Sequence, residues 1–158
     1  MRLPPFQALL DAHGRDVHRF LIASVGPLDA DDCYQETWLA ALRAYPSLKD
    51  AANLRGWVLT IANRKAIDHI RARSRRAVPV AETDELAGTE PPSSPESDGA
   101  IWVRVAQLPD KQRTALALRF IADAAYDEIA SVMESSEAAA RRNVHEGIKK
   151  LREEYADD

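Results

Sequence analysis

Seven of the residues between positions 55 and 76 are cations (Arg55, Arg64, Lys65, Arg71, Arg73, Arg75, Arg76), against one acid, Asp68. On a helix advancing about 100° per residue, Trp57, Arg64, Asp68, Arg71 and Arg75 project within one arc, and Val58, Leu59, Ala62, Ala66 and Ile70 project from the opposite one. Guanidinium groups track a phosphate backbone and an aromatic ring stacks on a base, so this stripe suits a single strand of nucleic acid. The plainer alternative is a soluble helix end with Trp57 in the core.

Two further segments carry recognition chemistry. Between Asp29 and Tyr45, the residues Tyr34, Trp38, Ala41, Leu42 and Tyr45 share one helical side and read as core, while Asp32, Gln35, Glu36, Leu39 and Arg43 share the other. Carboxylates, an amide and a lone leucine suit docking on a basic, partly apolar partner, and equally an ordinary solvated face. Near the C-terminus, YDEIASVMESSEAAARRNVHEGIKKLREE has the outline of a helix-turn-helix. There Ser136 is a good N-cap, and Ala140, Val144, Gly147, Ile148 and Leu151 form the inner stripe of the last helix. Arg141, Arg142 and His145 are then placed to meet base edges in a major groove, and Lys149 to meet phosphate. An amphipathic hairpin without a DNA role fits this pattern too.

Catalysis has little to work with. There is no glycine-rich phosphate loop, the four histidines (His13, His18, His69, His145) are scattered, and Cys33 is the only cysteine. No cofactor and no metal site are expected. One cysteine closes no intramolecular disulfide, and no secretory pattern or bilayer-length apolar run is present, so a reducing cytoplasm is the expected compartment, without membrane insertion.

The elements that must position these residues are all helices. Phe6, Leu9, Leu10, Val17, Phe20 and Leu21 recur at helical spacing up to Gly26-Pro27. A second helix starts among Asp29, Asp31 and Asp32 and ends at Tyr45-Pro46, and a third runs from about Asn53 to Arg73. Leu108-Pro109 opens a helix reaching about Ile121, followed by a short helix from Tyr126 to Met133, a turn at Glu134 to Ser136, and a long last helix to about Glu154. No stretch alternates with period two, so the fold class is all-α.

Charge divides the same chain in three. The net charge of -4 over 158 residues, 21 basic against 25 acidic, resolves into +4 over residues 1–78, -6 over 79–98 and -2 over 99–158. The middle stretch holds four of the nine prolines and almost no large apolar residue, which predicts a flexible acidic linker between two small helical domains.

Taken together, these segments resemble bacterial RNA polymerase sigma factors of the extracytoplasmic-function (ECF) group. DADDCYQETWLAALR is similar to the family's core-binding segment, and RGWVLTIANRKAIDHIRARSRR to its W-L-x-x-I-A-x-N-x-x-x-D-x-x-R stretch. LPDKQRTALALRF, YDEIA and HEGIKKLRE are similar to its C-terminal pattern, in the same order. The resemblance implies that Asp31, Asp32, Gln35, Glu36 and Leu39 dock on the clamp helices of the polymerase large subunit. It implies that Leu48, Asn53, Trp57, Asn63 and Arg64, with Arg71 and Arg75 of the basic stripe, open the -10 element and hold its non-template strand. Ser136, Arg141, Arg142, His145 and Lys149 would serve the -35 element. Core RNA polymerase, through its clamp helices and flap, and promoter DNA are the implied partners, with an anti-sigma factor a further candidate. Glu134 and Ser135 depart from the family, which commonly has glycine and an apolar residue in this turn. A DNA-binding regulator that uses the helix-turn-helix without polymerase is the rival reading, and the segment from Asp31 to Arg43 separates the two, because only a sigma factor needs it.

Overall fold

The computed structural model describes residues 3–76 and 96–157, and among them every regular element is helical. The helices are α1 (Phe6–Val25), α2 (Pro27–Ala44), α3 (Leu54–Arg76), α4 (Glu96–Val105), α5 (Asp110–Phe120), α6 (Tyr126–Met133) and α7 (Glu137–Asp157), with a 3-10 turn at Tyr45–Ser47 after α2. Most of the expected acidic linker, 79–98, lies outside the described residues. Its last three residues are the first turn of α4, a helix that the sequence reading did not anticipate.

Helices α1, α2 and α3 pack mutually into the first domain. Gly26 turns the chain between α1 and α2 at φ 94°, a conformation that costs glycine little, and Pro27 follows in the first turn of α2, where no N–H is needed. Leu9, Val17, Phe20, Leu21, Val58, Leu59 and Ala62 fill the core. Phe6 sets its ring edge-on against both Trp38 and Tyr45, and the Tyr45 hydroxyl donates to the Pro4 carbonyl oxygen at 2.6 Å, tying the N-terminal segment to the end of α2. Cys33 lies in the same core, where burial pushes its thiol pKa up to about 11. Leu42 is the exception to the expected core stripe: it sits at the edge of the arc and is 51% exposed.

The second domain packs α5 and α6 on α7, with α4 also on α7. At Gly147 the backbone of α7 comes so close to α5 that a Cβ would lie 2.9 Å from Leu116 Cδ1. The two domains touch directly, α1 against α5 and α3 against α6.

Candidate polymerase and nucleic-acid interface

On α2 the acidic face forms as expected. Asp31, Asp32, Gln35, Glu36 and Leu39 are all exposed, and Leu28 and Leu42 extend the apolar part of the stripe at 75% and 51% exposure. Leu28, Asp32, Gln35, Leu39 and Leu42 fall within about 40° of a common direction on the helix. Sequence reasoning missed Leu28, which spacing alone could have placed once the helix is taken to start at Pro27, and it placed Leu42 in the core. Asp31 is held by His18, whose Nε2 lies 3.0 Å from its carboxylate.

Apart from Asn63, which turns into the core, the proposed strand-binding residues occupy the loop before α3 and one side of that helix. Asn53 caps α3, its Oδ1 accepting the Gly56 N–H at 3.0 Å, and a Cβ at Gly56 would collide with that side chain. Leu48 and Trp57 are half-buried against the core, and the Trp57 ring tilts over Tyr45 at 6.0 Å. Asn63 is buried at 4% exposure, whereas Arg64, Arg71 and Arg75 are exposed. The other cations of the segment differ in use. Arg73 braces the α1–α2 corner, donating to Asp29 at 2.6 Å, and His69 approaches the same carboxylate at 3.2 Å.

Arg55 is a junction. It donates to Glu128 of α6 through Nη2 at 2.9 Å and Nε at 3.4 Å, to the Ala122 carbonyl at 2.6 Å, and lies 3.8 Å from Asp16. With side chains 25% and 18% exposed, the Arg55–Glu128 pair is partly desolvated, and breaking it should cost about 1–3 kcal/mol. Arg64 reaches across the same boundary to Glu134 at 2.9 Å, but at 62% and 57% exposure that pair contributes roughly 0–1 kcal/mol. Arg113, buried at 8% exposure, adds a third crossing by donating to the Ser24 carbonyl at 3.1 Å. Beside this boundary His13 has its pKa lowered, first by burial and then by the nearby Arg55.

In the helix-turn-helix, Ser136 caps α7 by accepting the Ala139 N–H at 3.0 Å. Arg141, Arg142, His145 and Lys149 all line its exposed side. Arg141 is already engaged: it pairs with Glu137 at 2.9 Å and its guanidinium lies 4.5 Å from the centre of the Tyr126 ring, which Arg119 also approaches at 4.4 Å. Glu134 ends α6 in the left-handed region at φ 56°, ψ 49°. Ser135 N–H returns to the Ala130 carbonyl at 2.9 Å and Glu134 N–H to Ser131 at 3.2 Å, the double closure of a Schellman turn. On the other side of this domain an apolar cavity of about 350 Å³ is lined by Trp102, Val105, Leu116, Phe120, Ile148 and Leu151.

Comparison with known proteins matches both halves. Residues 9–76 match Sigma-70 region 2 and residues 98–151 match Sigma-70 region 4. The ECF RNA polymerase sigma factor SigC of Mycobacterium tuberculosis is 34% identical over 131 residues, covering 80% of this chain and 70% of its own. This chain belongs to the ECF RNA polymerase sigma factors. As a sigma factor it binds core RNA polymerase and directs promoter recognition. The ECF sigma factor SigX of Bacillus subtilis is 28% identical over 93% of this chain and 81% of its own. In fold, the sigma factor is similar to RpoE of Bartonella quintana, solved in complex with the anti-sigma factor NepR, at a TM-score of 0.76 and 20% identity over 94% of both chains. CnrH, solved with the cytosolic domain of CnrY, gives a TM-score of 0.72 at 21% identity over 97% of this chain and 88% of its own. Among the described residues no helix is long and apolar enough to cross a membrane.

Proposed function

We propose a division of labour in which each face described above has one partner. Asp31, Asp32, Gln35, Glu36 and Leu39, joined by Leu28 and Leu42, dock on the clamp helices of core RNA polymerase. Leu48, Asn53, Trp57, Arg64, Arg71 and Arg75, with the buried Asn63 behind them, melt the -10 element and hold its non-template strand, with stacking and phosphate contacts offsetting the few kcal/mol needed to unstack a base. Ser136, Arg141, Arg142, His145 and Lys149 serve the -35 element in the major groove, and the apolar cavity of the second domain takes the polymerase flap. In domain terms, residues 1–78 serve core and the -10 element, the acidic stretch after them joins the two, and the second domain starts at Glu96. The sigma factor does no chemistry of its own, uses no cofactor, and works in the cytoplasm, where its polymerase and template are. An anti-sigma factor would hold it in reserve, as NepR pairs with RpoE.

The observation that carries this reading is the opposition of two exposed faces in one small domain, acidic with leucines on α2 and cationic on α3. It supports a sigma factor over a regulator that never meets polymerase. Two measurements test it. Asp32→Arg/Glu36→Arg should lower recovery of core enzyme in a pull-down more than tenfold, and equal recovery would sink the docking assignment. Arg64→Ala/Arg71→Ala should lower open-complex formation in run-off transcription while core binding persists.

A further inference from the structure

The second domain brings three of its helices together around one aromatic ring. Tyr126, the first residue of α6, is half-buried against the core, and its ring faces two guanidinium groups. Arg119, near the end of α5, lies 4.4 Å from the ring centre and is itself anchored, donating through Nη1 to the Ala124 carbonyl at 3.0 Å. Arg141, on α7, lies 4.5 Å from the same centre. From its own helix Glu137 accepts a hydrogen bond from Arg141 Nη2 at 2.9 Å, and the acid precedes the base by about one turn, the order that suits the helix dipole. The side chains of Arg142, His145 and Lys149 make no ion pair, hydrogen bond or ring contact among the described residues, so Arg141 stands apart from its neighbours on the exposed side of α7.

These contacts leave the useful part of Arg141 open. A guanidinium gives its flat face to a ring and its N–H edge to acceptors, so the contact with Tyr126 uses none of that edge. Glu137 takes a single N–H at Nη2, and whichever N–H this is, a parallel pair remains, shared with either Nη1 or Nε, to meet O6 and N7 of a guanine. An arginine whose plane is already set loses fewer rotamers on binding than a free one. It also discriminates better, because its donors cannot swing to a different acceptor when the base is wrong. Each restraint is weak singly, since Arg141 and Glu137 are 54% and 50% exposed; ring and carboxylate fix the group by acting from different directions.

We infer that Tyr126 and Glu137 are positioning residues for Arg141: together they aim its free N–H edge into the major groove and make one guanine of the -35 element a sharply read base. The inference rests on the reading that α7 serves that element. Arg119 steadies the ring and belongs to the same chain of contacts, which runs from the Ala124 carbonyl to Glu137.

The test uses holoenzyme assembled from core RNA polymerase and the full chain. The templates are a promoter recovered with the wild-type holoenzyme and randomised across its -35 element, and sequencing of the bound templates gives the base preference at each position. Arg141→Ala should abolish a guanine preference at one position. Tyr126→Leu should lower that preference about fivefold and leave the other positions within about twofold, whereas Tyr126→Phe, which keeps the ring, should retain it. Glu137→Ala should lower it about threefold while tightening binding to random-sequence duplex, because a negative charge near the phosphates is gone. The inference is overturned if Tyr126→Leu keeps the preference, if it weakens every position alike, or if Tyr126→Phe behaves as Tyr126→Leu does. It is also overturned if Glu137→Ala sharpens the preference, since the carboxylate would then compete with DNA. A loss confined to Arg141→Ala overturns the positioning alone; if Arg141→Ala itself leaves every preference intact, the -35 role of Arg141 falls and the positioning with it.

Discussion

Helices α2 and α3 pack against each other in one domain yet present opposite chemistry to solvent. The outer face of α2 combines short acids with three exposed leucines, Leu28, Leu39 and Leu42, whereas α3 presents arginines on long, flexible stems. The first kind of face gains its affinity by burying apolar area under a fitted partner, at about 25 cal/mol per Å². The second works through phosphates and displaced counterions, so its strength depends on salt. One small domain can thereby hold a protein and a nucleic acid at once without either competing for the other's contacts.

The sharpest way to break this comparison is on α2. Leu39→Asp should weaken core binding about ten- to fiftyfold in a titration of labelled core, with the melting temperature of the free protein nearly unchanged. Leu42→Asp separates two roles: a docking residue lowers core affinity severalfold, while a core residue would lower thermal stability instead. On α3, Arg71→Ala/Arg75→Ala should weaken single-strand binding severalfold and flatten the dependence of log K on log salt by about 0.7 per cation removed, whereas core binding of the same variant should match that of the wild type. A flat salt response in the wild type would mean the arginines are ordinary solvated charges. Smaller still is the effect at the domain boundary. With its pKa lowered, His13 binds fewer protons in the folded protein than in the unfolded one, so its contribution to stability is lost as pH falls through the imidazole range near 6.5. His13→Gln should therefore make acid denaturation between pH 7 and 5 slightly shallower, and an unchanged profile would show that this histidine is indifferent to its surroundings.

Much of this was legible in the residues. Gly26-Pro27, Tyr45-Pro46 and Leu108-Pro109 bracket helices that form within a residue or two of where punctuation and periodicity put them. The exposed acids and Leu39 on α2 followed from helical phase. Leu42 did not, because a residue at the margin of an arc goes to whichever side its neighbours leave open, and a helical wheel has no neighbours. Helix α4 was hidden because Glu96, Ser97 and Asp98 continue the composition of the acidic stretch before them, and only packing on α7 distinguishes a helix there. The roles of Arg55 and Arg113 were invisible for a related reason: each reaches a carbonyl of the other domain, 67 and 89 residues away in the chain. Glu134 was half legible. Its conflict with the turn could be seen in advance, and its partner across the boundary could not.

The burial of Cys33 reaches beyond packing. Oxidants such as hydrogen peroxide attack thiolate rather than thiol, and a sulfur enclosed in the α1–α2–α3 core with a pKa of about 11 offers neither the anion nor access. In the folded state, then, Cys33 is a poor target for peroxide, and a redox response through this sulfur requires the packing of α1, α2 and α3 to open first.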